Sequence, residues 1–93
     1  MAEQLQRPQF TQKNLDTAVD DITEMMEKRL IQKGKGIYLS SHEALGILTE
    51  ECVELIDAIR ANDAKQIKKE LIDISVACVF GIASLHTGQM HWC

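Results

Sequence analysis

The chain has 93 residues, 45% of them hydrophobic and 26% charged, with a formal net charge of −4. That length makes one small domain, and the balance of apolar and charged residues excludes a disordered chain. The acidic charge argues against a broad nucleic-acid-binding surface, which needs clustered Lys and Arg.

The first ten residues, MAEQLQRPQF, carry no strong period and hold the single proline. They read as a mobile arm, residues 1–10, preceding a helical domain over 11–86 and a short tail over 87–93. No basic segment followed by an apolar stretch opens the chain, so no signal peptide is expected. Helix 1 runs from about Thr11 or Asn14 to about Gln32. Leu15, Ala18, Val19, Ile22, Met25, Met26 and Leu30 recur at three- and four-residue steps, the spacing of one apolar helical stripe. The sequence KGKG ends it, because Gly34 and Gly36 can adopt the left-handed conformation that stops a helix. Lys33 and Lys35 in this segment can meet phosphates, and Tyr38 can stack on a base or pack over the loop.

Helix 2 starts at a capping-box pattern, Ser40 followed three residues later by Glu43. Leu45, Leu48, Cys52, Leu55, Ile56 and Ile59 form its expected buried stripe. It stops near Asn62, and Asp63 can cap helix 3. So short a connection predicts an antiparallel hairpin of helices 2 and 3. Helix 3 is polar at its start and turns apolar on every side from Ile74, in ISVACVFGIASL. A helix apolar all round is buried all round, and three helices offer too little cover. A homo-oligomer, dimer or tetramer, is therefore expected, with this half of helix 3 in the interface. The run is too short to span a bilayer. Cys52 and Cys78 lie in apolar patterns, without CxxC spacing, and are expected to be buried thiols in a reducing compartment, the cytoplasm. His86, His91, Trp92 and Cys93 are too irregularly spaced for a soft-metal site.

The acids carry the chemistry. Residues 43–57 hold five acids and no Lys or Arg, a like-charge cluster that destabilises a helix unless a cation neutralises it. Glu50, Glu51 and Glu54 share one arc of helix 2. A turn near residue 62 sets Glu54 level with Glu70 and Glu51 level with Asp73 across the hairpin. The four carboxylates then form a square about 4.5 Å tall, provided helix 3 rotates its two acids toward helix 2. Oxygen ligands so arranged suit hard divalent cations, Mg²⁺ or Mn²⁺. Di-iron carboxylate bundles also place acids on paired helices, but their Glu-x-x-His pairs are absent here.

This pattern, EECVE followed after 15 residues by ELID, resembles the MazG-like members of the all-α NTP pyrophosphohydrolase superfamily. The resemblance covers about residues 11–85. It implies an all-α bundle of three main helices, completed by oligomerisation. It also implies Mg²⁺-dependent hydrolysis of nucleoside triphosphates, ribo or deoxy, to monophosphate and pyrophosphate, as in house-cleaning of nucleotide pools. Carried over by position, Glu51, Glu54, Glu70 and Asp73 are the implied metal ligands, and Glu50 an accessory ligand or a base that orients water. Lys69 is a further candidate for contact with substrate phosphate, as is its neighbour Lys68. Many members have a fourth helix after the second acid cluster. Few residues follow Leu85 here, so a second subunit is expected to complete the pocket. The alternatives are a phosphoribosyl-ATP pyrophosphohydrolase and a non-catalytic helical interaction protein of the same fold.

Overall fold

In the computed structural model, residues 7–91 are described. Residues 1–6 of the expected arm, and Trp92 and Cys93 of the tail, lie outside them. Residues 7–10 are non-helical and exposed.

Three helices make the fold: α1 (Gln12–Lys33), α2 (Ser41–Arg60) and α3 (Ala64–His86). Each begins at a side chain that accepts one of the N–H groups left over in a first turn. Thr11 caps α1 in a full reciprocal box with Asn14. Ser40 Oγ accepts from the Glu43 N–H, the forward half of the expected box. Asp63 accepts from the Gln66 N–H. Gly34, at φ 73°, ends α1 as expected, with its N–H on the Leu30 carbonyl. The α2–α3 turn passes through Asn62 at φ 56°, a left-handed conformation that asparagine tolerates better than most side chains.

The antiparallel α2–α3 hairpin is the densest contact, and α1 packs on α3 alone. Asp21 pairs with Lys68 and Arg29 with Asp73, so α1 runs in the same sense as α3. Ile22, Met25, Met26 and Leu30 of its stripe are half-buried against α3, but residues 11–20 are exposed throughout. The described part of the tail folds back. His91 donates to the Leu39 carbonyl and accepts from the Ser41 N–H, tying residue 91 to the start of α2.

The face of α2 that meets α3 overlaps the expected stripe only in part, at the half-buried Leu48 and Leu55. Ala44, Ile47, Glu51, Leu55 and Ala58 turn toward α3, and Ala58 is buried. Leu45, Cys52, Ile56 and Ile59, expected inside, are exposed. On α3, Glu70, Asp73, Val76, Ala77 and Ser84 are buried, while Leu71, Cys78, Val79, Ile82 and Leu85 are exposed. Neither Cys52 nor Cys78 is therefore the buried thiol that its apolar surroundings suggested. The reason is that α1 covers part of α3 and none of α2, so the strongest apolar stripes have no partner within the chain. The radius of gyration, 15.9 Å, exceeds the roughly 12 Å of a compact domain this long.

Candidate metal and substrate site

The hairpin turns the acids inward. Oxygens of Glu51, Glu70 and Asp73 lie within 4.8 Å of one another. Glu70 is 1% exposed and Asp73 5%, values carboxylates reach only when something offsets lost hydration. Part of that offset comes from the chain. Arg29 reaches from α1 to Asp73 Oδ1 at 3.2 Å, and Lys69 takes Asp73 Oδ2 at 3.1 Å. Lys69 is also 3.5 Å from Glu70 Oε1, which accepts from Gln66 Nε2 at 2.6 Å. Two buried oxygens, Glu51 Oε2 and Glu70 Oε2, nevertheless have no N–H or cationic partner among the described residues, and Glu70 has only the Glu54 carboxyl beside it.

The electrostatics record the crowding. Burial, then the charges of Asp73, Glu54 and Glu70, push the Glu51 carboxyl above its ordinary value, against the pull of Arg29. Glu54 is exposed, yet a hydrogen bond shared with Glu70, and then the Glu70 charge, push it up as well. Burial alone would raise Glu70; hydrogen bonds with Glu54 and Gln66, and Lys69 beside it, hold it below the usual range instead. Of these two facing carboxyls, Glu54 is thus the one pushed up and Glu70 the one held down. The Lys69 ammonium is held above its ordinary value, chiefly by its hydrogen bond to Asp73.

Two clefts flank this cluster. A cavity of about 230 Å³ is lined by Glu50, Glu51 and Asp73 together with Arg29, Lys33, Tyr38 and Phe80. An open cleft of about 420 Å³ holds Glu54, Glu70 and Lys69. Tyr38 is positioned by its own N–H, which donates to the buried Ser84 Oγ at 3.0 Å, while that hydroxyl donates to the Phe80 carbonyl. Burial, then the negative charges of Glu43, Cys78 and Glu51, raise the phenol above 10.0. It stays neutral, and so a donor, at physiological pH.

Of the residues singled out in the sequence, Glu51, Glu70 and Asp73 come together as a trio. Glu54 touches the trio through Glu70, and Glu50 stands on the cavity wall, exposed and outside it. Lys33 and Tyr38 reach the same cavity. Lys35 does not: it lines a separate, largely apolar cavity of about 290 Å³ between the ends of α1 and α3. Lys69 is engaged with acids, and Lys68 pairs with Asp21 at 3.1 Å. Sequence reasoning missed Arg29. Its signal was a charge inside an apolar stripe, at helical spacing from Ile22, Met25 and Met26.

The donor set fits a hard cation: three carboxylates, oxygen only, two of whose buried atoms lack an N–H or cationic partner. Among the described residues no helix is long and apolar enough to cross a membrane. No curated protein and no solved structure gives a significant match to the chain. Residues 39–91 match the family model of the MazG nucleotide pyrophosphohydrolase domain, a span that takes in both acid clusters and the whole α2–α3 hairpin. With more than half its length inside that match, the chain belongs to the MazG nucleotide pyrophosphohydrolase family.

Proposed function

We propose that the protein hydrolyses nucleoside triphosphates, ribo or deoxy, to the monophosphate and pyrophosphate with Mg²⁺, for which Mn²⁺ can substitute. The observation that carries this is the pair of buried oxygens without an N–H or cationic partner, Glu51 Oε2 and Glu70 Oε2, in a trio closed by Asp73. Glu51, Glu70 and Asp73 would hold the cation, and Glu54, facing Glu70, would join them as a fourth ligand. When bound, the cation neutralises charge on the phosphates and acidifies water. The residues around it do the rest. Glu50 orients the attacking water from the cavity wall and takes up its proton. Lys33 meets phosphate oxygens, and the neutral Tyr38 phenol donates to one of them or stacks on the base. Lys69 keeps Glu70 and Asp73 from repelling each other, and Lys35 stands farther off, at the apolar cavity.

The working form is a homo-oligomer. Ile56 and Ile59 of α2 and Leu71 and Ile82 of α3 are each 46–56% exposed, and fully burying such side chains is worth roughly 1.5–3 kcal/mol each. A second copy is the occupant best matched to these stripes, and covering them would also shield Cys52 and Cys78. The free thiols Cys52 and Cys78 among the described residues suit the reducing cytoplasm.

The test is a panel of NTPs, dNTPs and phosphoribosyl-ATP incubated with Mg²⁺ and assayed for pyrophosphate. Turnover is expected for at least one of them. Glu70→Gln and Asp73→Asn should each abolish it while keeping the helical circular dichroism. No turnover anywhere in the panel would sink this reading and leave a non-catalytic helical interaction protein in its place.

A further inference from the structure

Asp73 is buried on α3 within reach of α1, and both of its oxygens are already taken by cations of the chain. Oδ1 has Arg29 at 3.2 Å and Oδ2 has Lys69 at 3.1 Å. Glu51 and Glu70, by contrast, each keep one oxygen without an N–H or cationic partner. Any cation that recruits Asp73 together with those two must therefore share an oxygen with a positively charged nitrogen, or displace it. Coulomb repulsion at about 3 Å, in a site this dry, favours displacement.

The two nitrogens are not equally placed to leave. Lys69 lies one turn before Asp73 on the same helix, touches Glu70 as well, and faces the cleft that holds Glu54. Its side chain is 54% exposed, but two carboxylates of its own helix, Glu70 and Asp73, hold its ammonium together. Arg29 comes from α1 and makes one cross-helix bond, through one of its terminal nitrogens. Its side chain is 29% exposed and forms part of the cavity wall beside Lys33 and Tyr38. It can swing off Asp73 without leaving that cavity. A guanidinium is planar, permanently charged and forked, which suits it to bind two phosphate oxygens at once.

We propose that Arg29 is a two-position residue: it occupies Asp73 before the cation binds, yields it on binding, and then clamps the phosphates of the nucleotide. The inference rests on the metal-dependent function above and deepens it. It makes metal and nucleotide binding cooperative, because each ligand gives Arg29 or Asp73 the partner that the other has taken away. It also gives α1, which lies outside the family match, a direct part in the site.

The experiment compares the full chain with Arg29→Gln and Arg29→Lys, and with Lys68→Gln as a control for loss of a nearby charge. Mn²⁺ affinity without nucleotide is measured by electron paramagnetic resonance and calorimetry, and kcat and KM are measured with the best nucleotide of the panel. Without its competitor the site should bind Mn²⁺ roughly two- to fivefold more tightly in Arg29→Gln, the range set by a partly exposed charged contact. KM for the nucleotide should rise about tenfold while kcat moves less. Arg29→Lys should fall between wild type and Arg29→Gln in both, and Lys68→Gln should match wild type in Mn²⁺ affinity. Unchanged or weaker Mn²⁺ binding in Arg29→Gln would show that Arg29 merely braces Asp73, and would overturn the inference. An unmoved KM would overturn it too. Either result can occur in an enzyme that still turns over, so the function would stand. A wild-type chain that neither binds Mn²⁺ nor hydrolyses nucleotides would remove both. If Arg29→Gln loses its helical signal, Arg29→Lys carries the same comparison with the charge retained.

Discussion

Glu51→Gln should make the metal-free protein more stable and the metal-loaded protein less stable than wild type. Glu51 Oε2 is buried with no donor, its neighbours in the cluster are carboxylates, and burial and those charges raise its pKa. A buried polar group without a partner costs about 1–3 kcal/mol. Because the rest of Glu51 is half-buried, the low end applies, about 1 kcal/mol. A glutamine amide removes the charge and can donate to a neighbouring carboxylate. For a domain this size, about 1 kcal/mol corresponds to roughly 4–8 °C in Tm.

The sign with pH follows from linkage. An acid whose folded pKa is raised binds more protons folded than unfolded, so wild-type stability falls as pH rises from 4.5 through the folded value. The advantage of Glu51→Gln should thus be full at pH above that window and vanish below 4.5, where both forms are neutral. Adding Mn²⁺ at a hundredfold excess over its dissociation constant stabilises wild type by about 2.7 kcal/mol. If losing Glu51 weakens binding a hundredfold, the variant gains only about 0.4 kcal/mol, and the order reverses. The assay is thermal unfolding by circular dichroism in EDTA and in Mn²⁺, at one protein concentration because subunit association also shifts Tm. A variant less stable than wild type in EDTA at neutral pH would refute the frustrated-acid account. Equal gains from Mn²⁺ in both proteins would refute Glu51 as a ligand.

Ile82→Glu, at a position 56% exposed within the outward stripe of α3, should lower the sedimentation mass while leaving helicity intact; an unchanged mass would exclude that stripe from the interface. Ala58→Leu should disturb the hairpin, because Ala58 is 4% exposed where α2 meets α3. Overpacking there costs about 1–3 kcal/mol, read as a lower Tm, and a neutral result would mean the helices can part at that point. Divalent-cation affinity should fall with acidification well before the ordinary carboxylate range, since Glu51 and Glu54 both hold their protons to higher pH than usual. Mn²⁺ titrations that stay flat down to pH 4.5 would contradict the raised carboxyls.

The local devices were legible in the residues. Ser40 and Asp63 sit at the N-caps, Gly34 ends α1, and the turn at Asn62 sets the hairpin, all through interactions within a few positions along the chain. That turn also set the level of the acids, so the juxtaposition of Glu54 with Glu70, and of Glu51 with Asp73, followed from counting. Rotation about the helix axis did not. Hydrophobic periodicity marks the face that avoids water but not which partner covers it. On α2 the most apolar stripe, with Leu45, Cys52, Ile56 and Ile59, turned outward, and the face carrying Glu51 and the small Ala58 met α3.

The sequence by itself determined three helices, their ends, the hairpin and the identity of the acids, because capping, turn chemistry and helical spacing act over a few residues. Only the tertiary structure decided which faces meet, and that Arg29 crosses from another helix to Asp73. Those outcomes depend on side chains 44 positions apart in the chain, and no local spacing encodes a contact made through space.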